Sequence, residues 1–103
     1  MTYTRENIPV RRMHGTTDEP GYRLSRNFGI WKWPWMKVWI LTHLPSGMAL
    51  CDAETIAKAR AMVAELERMR IDWGTKKPGE ENTAWQRKRI SRICGTRPLR
   101  PVA

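Results

Sequence analysis

At 103 residues, with 41% hydrophobic content and a net charge of +9, the chain fits one domain, with or without a tail. Two cysteines, Cys51 and Cys94, exclude a disulfide scaffold. The most apolar window, Phe28 to Leu50, is broken by Lys32, Pro34, Lys37, His43 and Pro45, which excludes a transmembrane helix.

The N-terminal MTYTRENIPVRR has no apolar segment of the signal-peptide kind, so the expected location is cytoplasmic, with reduced thiols. The charge is unevenly spread. Residues 1–30 carry five Arg against three acids, residues 31–74 six basic against five acidic groups, and residues 75–103 eight basic against two acidic, or +2, +1 and +6. A nearly neutral module with a polycationic end attracts polyanions: nucleic acid first, an acidic protein face or anionic lipid second. A solubilising tail is the plainer reading of the same charge.

Taken in order, residues 1–21 read as an irregular N-terminal arm. Pro9, Gly15, Pro20 and Gly21 punctuate them, and TTDEPG is a turn signal. Ile8, Val10 and Met13 allow part of this arm to lie along the core. A first short strand begins where Tyr22 and Leu24 alternate with Arg23 and Ser25. Ile30 to Trp33 is the next strand, ended by Pro34, which cannot donate to a ladder. Lys37 to His43 (KVWILTH) is the clearest strand. Val38 and Ile40 face one way and Trp39 and Leu41 the other, so both faces are apolar. Leu44-Pro45-Ser46-Gly47 is a turn, and Met48 to Cys51 the returning strand.

Asp52 is placed to cap a helix, with Glu54 in its first turn. Ile56, Ala59, Val63, Leu66 and Trp73 form its apolar stripe, and it ends between Ile71 and Gly74, where glycine serves as the cap. Thr75 to Gly79 is a linker. Glu80 to Cys94 forms a second, basic helix, and GTRPLRPVA is an extended tail. The chain divides into an arm (1–21), a sheet-plus-helix core (22–74) and a basic helix or tail (75–103). The fold class is α+β: a small antiparallel sheet of two to four strands packed on one main helix.

No catalytic constellation stands out. His14 and His43 lie far apart and outside any catalytic motif, and His43 reads as a structural or surface histidine. Cys51, Cys94 and the two histidines lack metal-ligand spacing, so neither a metal nor a cofactor is expected, and no enzymatic activity. Cys51 reads as a buried free thiol. Four of the six tryptophans fall between Gly29 and Leu50. Trp39 reads as core. Trp31, Trp33 and Trp35 share one face by period two, with Lys32 opposite. If the helix covers the other face, these three rings form an exposed surface for stacking bases or anchoring a protein partner. Tryptophan interleaved with lysine also occurs at membrane interfaces, but Pro34 breaks any amphipathic helix here.

The second candidate is WQRKRISRICGTRPLR, Trp85 to Arg100. Its six cations, Arg87, Lys88, Arg89, Arg92, Arg97 and Arg100, have no acid among them. Arginine suits phosphate because its planar fork can bind two oxygens.

The order of strands, PSG turn and Ala-rich helix over residues 22–72 resembles the three-stranded sheet plus helix of plant ethylene-response-factor domains and of the arm-binding domains of phage integrases. That resemblance implies DNA reading by arginines and tryptophans on an exposed sheet face; here the face carries tryptophans and few arginines. Short length, richness in Arg and Trp and the LTHLPSG hairpin before a single helix are similar to small accessory proteins of actinobacterial phages. This second resemblance implies binding and redirection of host factors. The resulting expectation is a non-enzymatic nucleic-acid-binding accessory protein, DNA ahead of RNA, with no membrane partner. The alternative is an interaction module that binds and inhibits or redirects a host protein through an acidic surface. A homodimer through the tryptophan face is a further option.

Overall fold

Alternation begins almost at once: Ile8 and Val10 are fully buried, while Arg5, Asn7 and Arg11 between and around them are exposed. In the computed structural model, which describes residues 4–69, 71–74, 88–90 and 92–93, this period of two makes an edge strand, β1 (Thr4–Arg12). It pairs antiparallel with β2 (Gly15–Arg23) through a full register from Thr4↔Arg23 to Arg12↔Gly15. Three more strands follow as a meander, β3 (Phe28–Trp31), β4 (Trp39–His43) and β5 (Met48–Ala53), in the sheet order β1-β2-β3-β4-β5.

The sheet therefore has five strands, not the two to four expected. The expected irregular arm, residues 1–21, supplies the two extra. Proline is tolerated here because Pro9 lies on an edge strand, and Pro20 lies just before Gly21, where pairing of β2 with β3 begins. TTDEPG, read as a turn, is extended chain; the turn is at Met13-His14, next to Gly15 with φ +135°.

The sheet rolls up. Gly21 and Gly29 leave room for Ile8 to press onto β2 and β3: a Cβ at either position would come within 2.8 Å of the Ile8 side chain. At the far side β1 meets the β4–β5 turn, where the Arg11 N–H donates to the Gly47 carbonyl at 2.8 Å. Gly47 takes φ +73°, a conformation glycine adopts without strain. Ile8, Val10, Trp31, Ile40 and Ala49 fill the inside of the roll, with Trp33, Met36 and Leu44 packed beside them.

The outer face carries Phe28, Ile30, Leu41, Leu50, Cys51 and Ala53. It is covered by α1 (Ile56–Glu67), whose buried residues are Ala59, Val63 and Leu66. A helix of 12 residues is marginal alone, so this packing holds it. It starts later than Asp52, the expected cap. Asp52 and Ala53 stay in β5 opposite Ile40 and Trp39, and the Thr55 hydroxyl caps the helix by accepting from the Lys58 N–H at 3.1 Å. It also ends before the expected Gly74, with Arg68 as the last cap residue. Cys51 is a buried free thiol. Ile90 is buried in the same core as α1, with Ile93 packed against it. Among the described residues no helix is long and apolar enough to cross a membrane.

Candidate nucleic-acid interface

β3 stops at Trp31, and the chain then turns tightly. The Met36 N–H donates to the Trp33 carbonyl at 3.0 Å, so Trp33-Pro34-Trp35-Met36 is a β-turn with proline at its second position, where a fixed φ suits it. The turn folds Trp35 back over Trp33. Their ring centroids are 5.1 Å apart with planes only 16° from parallel. Trp31 meets Trp33 edge to face at 4.9 Å. The three indoles make one continuous ladder, from the inside of the roll to solvent.

Exposure rises steeply along it. Trp31 is fully buried, Trp33 half-buried, and Trp35 is 74% exposed. The expected grouping of the three rings, with Lys32 opposite, is therefore present, since Lys32 Nζ lies 5.0 Å from the Trp39 ring on the helix side. What differs is access. The roll of β1 covers Trp31 and part of Trp33, so of the three only Trp35 is largely exposed.

The middle rung is braced by residues that sequence reasoning missed. On one face of the β1–β2 hairpin, Arg12 donates from Nε to Thr17 Oγ1 at 2.8 Å and from a terminal nitrogen to Glu19 Oε1 at 3.2 Å. Its guanidinium carbon is 4.8 Å from the Trp33 ring centre and 5.8 Å from that of Trp31, within cation–π range. Trp33 Nε1–H donates to the same Glu19 oxygen at 3.1 Å. One carboxylate thus fixes both the cation and the indole. Because Arg12 neutralises Glu19, the acid does not set up a field against an approaching anion. The signal for this brace was the period-two pattern of β1 and β2, but their register was needed to bring Arg12, Thr17 and Glu19 together.

Of the six cations expected to contact an anion, Lys88, Arg89 and Arg92 are exposed, grouped around buried Ile90. Arg87, Arg97 and Arg100 lie outside the described residues.

His43 is fully buried. Nε2 sits 2.5 Å from the Trp73 carbonyl oxygen and Nδ1 2.7 Å from Ser46 Oγ. A carbonyl only accepts, so Nε2 carries the proton and donates to it, and Nδ1 accepts from the Ser46 hydroxyl. Burial lowers the imidazole's pKa from its ordinary value, against the opposing pull of the Trp73 carbonyl. The ring packs against Phe28 and Trp73, and Trp73 Nε1–H donates to the Leu66 carbonyl at 3.0 Å, closing the end of α1. His43 is thus a buried tie between β4 and the segment after the helix. A groove of about 350 Å³ between β1 and the β4–β5 turn is lined by Pro9, Arg11, Thr16 and residues 44–48, with no carboxylate, imidazole or thiol among them. Among the described residues no group of three or more His, Cys, Asp or Glu is placed to hold a metal ion.

No protein-family model, curated protein or solved structure matches the chain. A functional reading accordingly rests on the chemistry of these two surfaces.

Proposed function

We propose that the protein is a small, non-enzymatic, nucleic-acid-binding accessory protein, with DNA ahead of RNA as ligand. The observation that carries this reading is a net charge of +9 combined with three exposed cations, Lys88, Arg89 and Arg92, held around an isoleucine anchored in the core. Cations grouped around one buried side chain favour phosphate by charge and by counterion release, independently of sequence. The anchor matters because a cation fixed to the fold loses less freedom on binding than one on a free tail.

The test is charge reversal. The triple variant K88E/R89E/R92E, compared with the full wild-type chain by filter binding, is expected to lose most of its affinity for duplex DNA at low salt. Its salt slope is expected to shrink by about 0.9 for each phosphate no longer neutralised, roughly 3 in all. Unchanged affinity would overturn the reading.

The second reading is an interaction module for a host protein, the role that likeness to phage accessory proteins implies. Exposed Trp35 and Met13, at 74% and 70%, favour it, since aromatic residues and methionine are enriched at interfaces. A stoichiometric protein partner captured from nuclease-treated bacterial lysate, together with no binding to DNA or RNA at low salt, is the result that would favour this reading over the first.

A further inference from the structure

We infer that Trp35 is the outer leaf of a base-stacking platform that takes an unpaired base of a single-stranded nucleic acid. This rests on the nucleic-acid reading above and specifies the form of ligand at the tryptophan surface.

The geometry is that of a ring already held for stacking. Trp33 stacks against one face of Trp35, at 5.1 Å and 16°, while Trp35 remains 74% exposed. Trp33 in turn cannot easily swing away. Its Nε1–H is bonded to Glu19, the Arg12 guanidinium lies against its ring, and Trp31 meets it edge to face. Proline at position 34 and the Trp33–Met36 hydrogen bond limit the backbone of the turn that carries both rings. A platform fixed before binding loses little side-chain freedom when a base arrives. Exposed Lys37 follows two residues later in the chain.

The chemistry selects an unpaired base. Every base has a π-face, so stacking is tolerant of sequence. In a duplex those faces are already stacked on their neighbours, and offering one to Trp35 would require unstacking and unpairing. The net charge of +9 argues for a polyanion over an apolar peptide as the occupant. The platform itself adds no opposing field, because its one carboxylate, Glu19, is paired with Arg12.

The experiment measures fluorescence anisotropy of the full chain with a labelled oligothymidylate and with a labelled duplex at low salt, for wild type, Trp35→Ala and Trp35→Phe. Trp35 is exposed, so both variants are expected to fold; circular dichroism and the melting curve check this. Trp35→Ala is expected to weaken single-strand binding roughly 5- to 150-fold and leave duplex binding unchanged, while Trp35→Phe keeps most of the single-strand affinity. Wild-type single-strand affinity in Trp35→Ala, or an equal loss on both probes, overturns the inference and leaves the nucleic-acid reading standing. If wild type binds neither probe, both fall together, and Trp35 is left as an anchor for a protein.

Discussion

Substituting Gly21 by alanine tests whether the rolled sheet is built as described. A Cβ there would lie 2.1 Å from the Ile30 carbonyl oxygen, 2.8 Å from Ile8 Cγ1 and 3.0 Å from Trp31 Cβ. Ordinary contact begins near 3.4 Å, so β3 must retreat from β2 by about 1.3 Å (3.4 less 2.1). Strands pair at about 4.8 Å, and a shift of that size breaks the hydrogen bonds where Gly21 and Tyr22 face Trp31 and Ile30. Overpacking costs about 1–3 kcal/mol, and each broken hydrogen bond about 1 kcal/mol more. With two such bonds lost, a total of about 3–5 kcal/mol follows, a large share of the roughly 5–15 kcal/mol that holds a domain of this size. At roughly 4–8 °C per kcal/mol the melting temperature should fall by about 12–40 °C. The assay is thermal unfolding by circular dichroism, with Gly74→Ala as control. At that exposed position the approaching atom is Asp72 Oδ1 at 3.2 Å, and the cost should stay within about 0.5 kcal/mol. A Gly21→Ala protein melting within about 4 °C of wild type would refute the close packing of β1, β2 and β3.

Other perturbations probe the remaining contacts. Since burial lowers the folded-state pKa of His43, its contribution to stability is complete above the unfolded value of about 6.5. It is lost progressively as pH falls from there towards the folded-state pKa. The urea midpoint should therefore drop between pH 7.5 and pH 5, and part of that drop should vanish in His43→Gln; an equal drop in both proteins would contradict the assignment. Removing the helix cap by Thr55→Ala should cost about 0.5–2 kcal/mol in urea unfolding. Glu19→Gln removes the charge that holds Arg12 and weakens the acceptor for Trp33. The near-ultraviolet circular dichroism of the stacked indoles should then lose intensity with little change in the far-ultraviolet, and an unaltered near-ultraviolet spectrum would show that the carboxylate is not the brace.

The helical stripe Ala59, Val63 and Leu66, the β4 strand with its two apolar faces and the PSG turn were legible in the chain because each follows a simple period or a turn rule. The first two strands were not. Ile8 and Val10 alternate as strand residues should, yet Pro9, Gly15, Pro20 and Gly21 read as interruptions. That edge position and one-sided pairing make those prolines tolerable is a property of the sheet, and Gly21 serves close packing instead of a turn. Asp52 is a good cap by type, but pairing with Ile40 keeps it in β5, and Thr55 takes the role. Spacing put Trp31, Trp33 and Trp35 together, but Trp35 joins the other two through the Trp33–Met36 turn, not by continuing the strand. The restriction of exposure to Trp35 depends on β1 folding over Trp31, and the Arg12–Glu19 brace depends on the β1–β2 register, neither of which a local pattern contains.

The most direct test of the central claim is a salt titration of binding by the full chain to labelled single-stranded and duplex DNA. Phosphate recognition by Lys88, Arg89 and Arg92 predicts a straight fall of log K with log salt, with a slope of about −2 on single strands and about −3 on duplex, or steeper, for three neutralised phosphates. A flat line, or no binding at low salt, would contradict a nucleic-acid function.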